Sequence, residues 1–140
     1  MMKIAAVSSL IIIFLSSFYQ SNPLIGKWVY AGDIFNGKKE GGPTEYALQR
    51  DYDNNHFTAY VIQEGYKNEK YETGDYTLTA DTCIDKETFC SQPSKITNIP
   101  IHYLFTVRND TLTLKGTLPT GMRVEEYWKR VGKDRKSGSQ

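Results

Sequence analysis

The sequence predicts an all-β protein, an antiparallel up-and-down β-barrel, and three observations carry that expectation. Ten Tyr, six Phe and two Trp stand among many Thr, the residue types that fill pleated, half-buried surfaces, and no apolar stripe of helical period and length follows the first twenty residues. Short alternating runs are separated by turn signals at a spacing of about ten residues, the pattern of a meander. The folded part also starts and finishes with a Trp beside basic residues, Gly26-Lys27-Trp28 and Tyr127-Trp128-Lys129-Arg130. A closed barrel lays its first and last strands side by side, so Trp28 and Arg130 are expected to stack there as an aromatic face and its cation.

Ahead of the first strand, Lys3 precedes an apolar run from Ile4 to Leu15 and the small residues Ser16 and Ser17. The run is shorter than the about 20 residues of a membrane span and has the layout of a secretory signal. Residues 1–20 are therefore expected to be a signal peptide, 22–131 a single barrel domain and 132–140 a flexible basic tail; an uncleaved N-terminal anchor is the alternative for the leader. The expected location is secreted or periplasmic, with no stable membrane span once the signal is removed. Cys83 and Cys90 are the only cysteines, and an even count in an exported chain favours a disulfide between them. Metal binding by the pair is disfavoured, because neither His56 nor His102 has a ligand-like spacing to the thiols.

The chain carries 17 Lys and Arg against 16 Asp and Glu, and loss of Lys3 with the leader balances them. Phosphate binding needs a basic surplus, so nucleic acid is not the expected partner. The basic residues that do cluster, from Lys129 to Lys136, lie among Gly and Ser near the end and read as a solvated tail. A monomer is expected.

The strands follow in order. Asn22-Pro23-Leu24-Ile25 reads as a turn leading into a first strand, Lys27 to Gly32, and the polar stretch Asn36 to Pro43 reads as a loop at an open mouth. Thr44 to Tyr52 and His56 to Glu64 alternate and are joined by Asp53-Asn54-Asn55, residues that tolerate the positive φ of a tight turn. Glu69 to Thr79 contains Gly74, the mark of a bulge or bend at a barrel corner. Ala80 to Thr97 reads as a long excursion pinned by the disulfide. The pattern resumes with Ile99 to Arg108, the Asn109-Asp110 turn, Thr111 to Leu118, the Pro119-Thr120-Gly121 turn, and Met122 to Val131.

The opening Gly-x-Trp and the closing Trp-Lys-Arg, around a meander of short strands, resemble the lipocalin-like proteins of the calycin superfamily. More narrowly, Asn98 through Phe105, Asp110 through Leu114 and Glu126 through Val131 look like the small secreted lipocalin-like domains of uncharacterised function found in bacteria. The resemblance implies a barrel of eight to ten strands around a pocket for a small, usually apolar molecule. It makes Trp28 and Arg130 fold residues, the one closing an end of the barrel and the other covering it. Two positions depart from the pattern: Asn54-Asn55 replaces the usual Asp-Gly, and Asp51 stands where an aromatic is expected, which bears on the polarity of the pocket.

Strand alternation sorts each run into two faces. Tyr46, Leu48 and Arg50 share one; so do Phe57, Ala59 and Val61, and Ile101, Tyr103, Phe105 and Val107. Tyr46, Leu48, Phe57, Ala59, Tyr103 and Phe105 are the candidate wall of a ligand site, with Arg50 as its polar anchor and Arg123 or Glu126 as a second interior charge. For each charge the alternative is an outward, solvated position. The expected function is binding of a small apolar or amphipathic molecule, with no cofactor and no metal. The alternative is a protein-interaction or inhibitor module with a filled barrel that binds through Asn36 to Pro43 and Ala80 to Thr97. An apolar cavity of roughly 300 Å³ or more would favour the first, and a packed interior the second. An enzyme is not expected. His56 and His102 have no partners in the pattern, adjacent Glu125 and Glu126 point to opposite faces, and no nucleophile or metalloprotease motif occurs. An isomerase or cyclase in such a barrel stays open.

Overall fold

The structure, a computed structural model, describes residues 21–132. The expected signal peptide, and all of the expected basic tail except Gly132, lie outside the described residues. Nine strands follow one another: β1 Gly26–Phe35, β2 Lys38–Gly41, β3 Ala47–Tyr52, β4 His56–Ile62, β5 Glu69–Leu78, β6 Thr82–Cys90, β7 Ile101–Arg108, β8 Thr111–Thr117 and β9 Arg123–Arg130. From β3 to β9 each strand pairs antiparallel with the next, and β1 closes the ring by pairing with β3 on one edge and β9 on the other. The result is the expected all-β, closed up-and-down barrel, with eight strands in its wall. Among the described residues no helix is long and apolar enough to cross a membrane.

Closure rests on the two Trp-bearing ends. Trp28 and Arg130 are register partners across β1 and β9, and the guanidinium carbon lies 4.3 Å from the centre of the indole ring. Trp28 is fully buried, and its Nε1 donates to Leu24 O at 2.8 Å. Arg130 is held in place by Asp110 Oδ1 at 3.1 Å and Pro23 O at 3.3 Å. The turn before β1 thus plugs one end of the barrel with Leu24, itself fully buried.

Turn chemistry explains the hairpins. Asn36 and Gly37 (φ 48° and 83°), and Asn109 and Asp110 (φ 50° and 56°), supply the consecutive positive φ values of a two-residue hairpin. The first of these turns corrects the expected loop at Asn36 to Pro43. The chain there doubles back as β2 along the second half of β1, Gly32 opposite Gly41 and Phe35 opposite Lys38. The register of β5 against β6 shifts at Thr73/Gly74, the bulge expected at that glycine. A Cβ on Gly74 would come within 2.4 Å of Phe57 Cζ and 2.5 Å of Lys86 O, so the ring of Phe57 lies down on its cross-strand partner. Gly116 receives the ring of Tyr103 in the same manner, with 2.7 Å left for a Cβ.

The largest correction concerns Ala80 to Thr97. Half of that stretch is β6, and Cys83 and Cys90 are free thiols at its two ends. Seven residues of extended chain, at about 3.3 Å each, separate them by roughly 20 Å, well beyond the about 7 Å between Cα atoms that a disulfide tolerates. The expected bond is therefore not formed, and Cys83 instead donates its thiol proton to Asp85 Oδ1 at 3.1 Å.

Candidate functional site

Each strand of the wall sends alternate side chains inward, and the two ends of the barrel receive different kinds. At the end plugged by Leu24, the interior is Trp28, Tyr52, Tyr76, Cys83, Leu112 and Trp128, in one buried cluster. Tyr52 packs edge-on against Tyr76 with ring centres 5.1 Å apart. Toward the other end lies a cavity of about 250 Å³. Its apolar wall includes Phe35, Phe57, Ile96, Tyr103 and Leu118. Its charged wall is Arg50 from β3 and five carboxyl groups, from Asp33 on β1, Glu72 on β5, Asp85 and Glu87 on β6, and Glu126 on β9. A wider groove of about 410 Å³ crosses the outside of the barrel beside Ile34, Leu104 and Lys115. It holds none of the buried charge, which is why the interior cavity is the candidate site.

Arg50 organises the charges. Only 9% exposed, it donates from Nη2 to Glu72 Oε1 at 3.0 Å and from Nη1 to Tyr52 OH at 3.1 Å, with Asp85 Oδ2 3.5 Å from Nη1. Its guanidinium carbon lies 4.6 Å from the centre of the Phe57 ring and 4.8 Å from that of Trp128. Burial works against its charge, but Tyr52, Glu72, Asp85 and Glu126 more than offset that and hold the guanidinium protonated.

The carboxyl groups divide by environment. Burial, reinforced by the neighbouring Glu87 carboxyl and resisted by Arg50, pushes Glu72 up to about 7. Glu87 goes the other way: burial opposes its charge, but hydrogen bonds from Glu72, Ser94 and Thr97 hold it below the usual carboxylate value, Thr97 Oγ1 donating at 2.9 Å. Of the two, Glu72 is the carboxyl that holds its proton more tightly. Asp85 and Glu126 are raised by burial and lowered by Arg50, with burial the larger effect; Trp128 Nε1 donates to Glu126 Oε2 at 3.1 Å. Tyr30 OH donates to Asp33 Oδ2 at 2.5 Å, which leaves Asp33 Oδ1 buried without a partner, as is Arg50 Nε. Both orphaned atoms belong to residues of this one cavity.

Of the residues singled out in the sequence, Arg50, Phe57 and Tyr103 meet at the cavity. Ala59 is fully buried behind it. Leu48 is half-buried, Tyr46 is 43% exposed and precedes β3, and Phe105 packs against the core toward the plugged end. Glu126 takes the interior position considered for it, and Arg123 is exposed. Glu72, Asp85, Glu87 and Asp33 were not anticipated. The available signal was the alternation Cys83, Asp85, Glu87 against Ile84, Lys86, Thr88, a period of two in which acids occupy the inward positions.

Chemically, Glu72 beside Glu87 can take up or release a proton near neutral pH. The Cys83 thiol does not serve as a nucleophile beside it, because burial first, then Asp85, pushes it far up and keeps it protonated. Among the described residues no three His, Cys, Asp or Glu side chains converge so as to hold a metal ion. The β2 hairpin and the segment between β6 and β7 are largely tied down. Asn36 N donates to Arg123 O at 3.0 Å and Asn98 N to Glu87 O at 2.7 Å. Comparison with models of known protein families and with curated proteins finds no match to this chain, so the barrel is compatible with a lipocalin-like fold on its architecture alone.

Proposed function

We propose that the protein is an exported, lipocalin-like binding protein that takes a small amphipathic molecule into the open end of its barrel. The observation that carries this reading is the interior cavity of about 250 Å³, in which apolar side chains such as Phe35, Ile96 and Leu118 stand beside buried charge. Ligand sites join an apolar lining to a few convergent polar groups, and this one adds a perturbed carboxyl, a second mark of functional sites. The volume falls short of the roughly 300 Å³ that would separate a carrier from an interaction module, and the wall is charged as well as apolar, so the reading rests on the convergent polar groups and calls for a molecule smaller than drug-sized. A charge cluster serving stability alone would satisfy its polar atoms, whereas Asp33 Oδ1 and Arg50 Nε have no partner in the protein.

The test is native mass spectrometry of protein purified from the compartment to which it is exported. The expected result is a small mass increment that disappears on denaturation. Extract added back to stripped protein should change its tryptophan emission, because Trp128 stacks on the cavity residue Arg50. Protein that carries no increment, and whose emission no extract alters, overturns the reading in favour of a protein-interaction module.

A further inference from the structure

We infer that the ligand of this cavity is a small amphipathic cation, an amine with a short apolar or aromatic body, received by the carboxyl groups of β1, β5, β6 and β9. The inference rests on the binding reading above and gives it a chemical class. Five carboxyl groups face one guanidinium across the cavity, and that guanidinium is already committed. Its two terminal nitrogens serve Glu72, Asp85 and Tyr52, and two aromatic rings pack against it, so Arg50 cannot swing to cover the others. Asp33 keeps Oδ1 buried and unpaired, and the hydrogen bond to Glu126 comes from the neutral Trp128. Arg50, nine-tenths buried in the same wall, keeps its own Nε–H, a donor, without an acceptor, a need that an ammonium does not meet and an acceptor atom on the body of the ligand would. The protein's groups therefore do not complete the polar wall they form.

Buried charge is stable only when paired or neutralised. The protein reduces part of the surplus by raising the proton affinity of Glu72. An ammonium group, with three donors and one positive charge, neutralises it better, an anion would add to it, and a neutral molecule would leave it unchanged. The apolar residues Phe35, Ile96 and Leu118 then face the body of the ligand. An entering cation displaces the proton of Glu72, so affinity rises with pH through about 7. Asp85 and Glu126, also raised by burial, add to that trend. Glu87, already ionised, does not, while Arg50 and Tyr103 keep their protons throughout.

Calorimetric titration of the purified protein at pH 7 with benzylamine, benzyl alcohol and benzoate, three molecules of one shape and three charges, tests the inference. Benzylamine is expected to bind at least tenfold more tightly than benzyl alcohol, with benzoate weakest. Its binding should release protons, read from heats that differ between buffers of different ionisation enthalpy. Glu72→Gln should weaken benzylamine about tenfold and remove most of the proton release on its binding; the comparison of the three probes on the unaltered protein stands without that variant. Benzyl alcohol or benzoate binding as tightly as benzylamine overturns the cation and leaves the binding reading intact. If none of the three binds, the co-purified molecule decides: one with an amine supports the inference, one without overturns it, and the absence of any such molecule overturns both readings.

Discussion

The two ends of this barrel are made by the same strands under the same alternation rule, yet one is sealed by aromatic packing and the other is lined with charge. Beside Leu24 the inward positions are Trp28, Tyr52, Tyr76, Leu112 and Trp128. A few residues further along the same strands they become Asp33, Arg50, Glu72, Asp85 and Glu126. Burial of large aromatic and aliphatic groups is the main source of folding stability, whereas a buried ionic cluster breaks even at best. The sealed end therefore holds the barrel together, and the charged end draws on that stability to keep a polar chamber that does not collapse.

The most direct way to break this comparison is to empty the sealed end. Trp28→Ala should destabilise the protein by about 4 kcal/mol, the usual cost of deleting a buried large aromatic, and lower the melting temperature by roughly 15 °C. A loss below about 1 kcal/mol in thermal or urea denaturation would mean that the sealed end does not carry the stability assigned to it.

The next effect isolates the charged end through pH. Unfolded Glu72 loses its proton near 4.5 and folded Glu72 at about 7, so between those values the folded state holds the proton more tightly. Its contribution is fully present below pH 4.5 and is lost as pH rises through about 7, which corresponds to about 3 kcal/mol. Glu87, held low, contributes in the opposite sense, with stability present above about 4.5 and lost as pH falls below it. Across the window from 4.5 to 7 the Glu72 effect governs, and the protein should be more stable at pH 5 than at pH 8 by about 2 kcal/mol. Urea denaturation at both pH values checks this. Asp85 and Glu126, also raised by burial, act in the same sense, so Glu72→Gln should reduce the slope without abolishing it, and a profile unchanged by that variant would show that Glu72 is not its source.

The smallest expected effect sharpens the account of the sealed end. Arg130→Ala removes the cation above Trp28 but leaves the indole buried, and should cost about 1 kcal/mol. Near-ultraviolet circular dichroism of the tryptophans should change with it. If Arg130→Ala proves as damaging as Trp28→Ala, the guanidinium rather than the burial of the ring closes the barrel.

Much of the architecture was legible in the sequence because it is written in local chemistry. Asn109-Asp110 and Pro119-Thr120-Gly121 mark turns by their tolerance of positive φ, Asp53-Asn54-Asn55 marks the place of its turn although none of the three adopts the positive φ expected there, Gly74 marks its bulge, and the Trp28 and Arg130 ends announce closure. A smaller part of the site was legible as well, since Arg50, Phe57 and Tyr103 follow from alternation alone. Two strands escaped: β2, whose four residues are all exposed and show no alternation, and β6, for a different reason. In Thr82–Cys90 the inward positions are Cys83, Asp85 and Glu87, so the usual contrast between apolar and polar faces vanishes and a strand looks like a loop. The same loss of contrast made the two cysteines look like a clasp on that loop. A polar interior erases the pattern by which interiors are recognised, and the residues hardest to read were the ones that distinguish this barrel from a merely packed one.

The two glycines under aromatic rings have a further consequence. Phe57 and Tyr103 form part of the chamber wall, and each lies flat because its partner on the adjacent strand, Gly74 or Gly116, has no side chain to prop it up. Neither glycine lines the chamber itself. A methyl group at either position would tilt a ring inward and take up space that a ligand needs. The bore of the barrel is thus calibrated from behind its wall, and its capacity can change through a single substitution at a site no bound molecule ever touches.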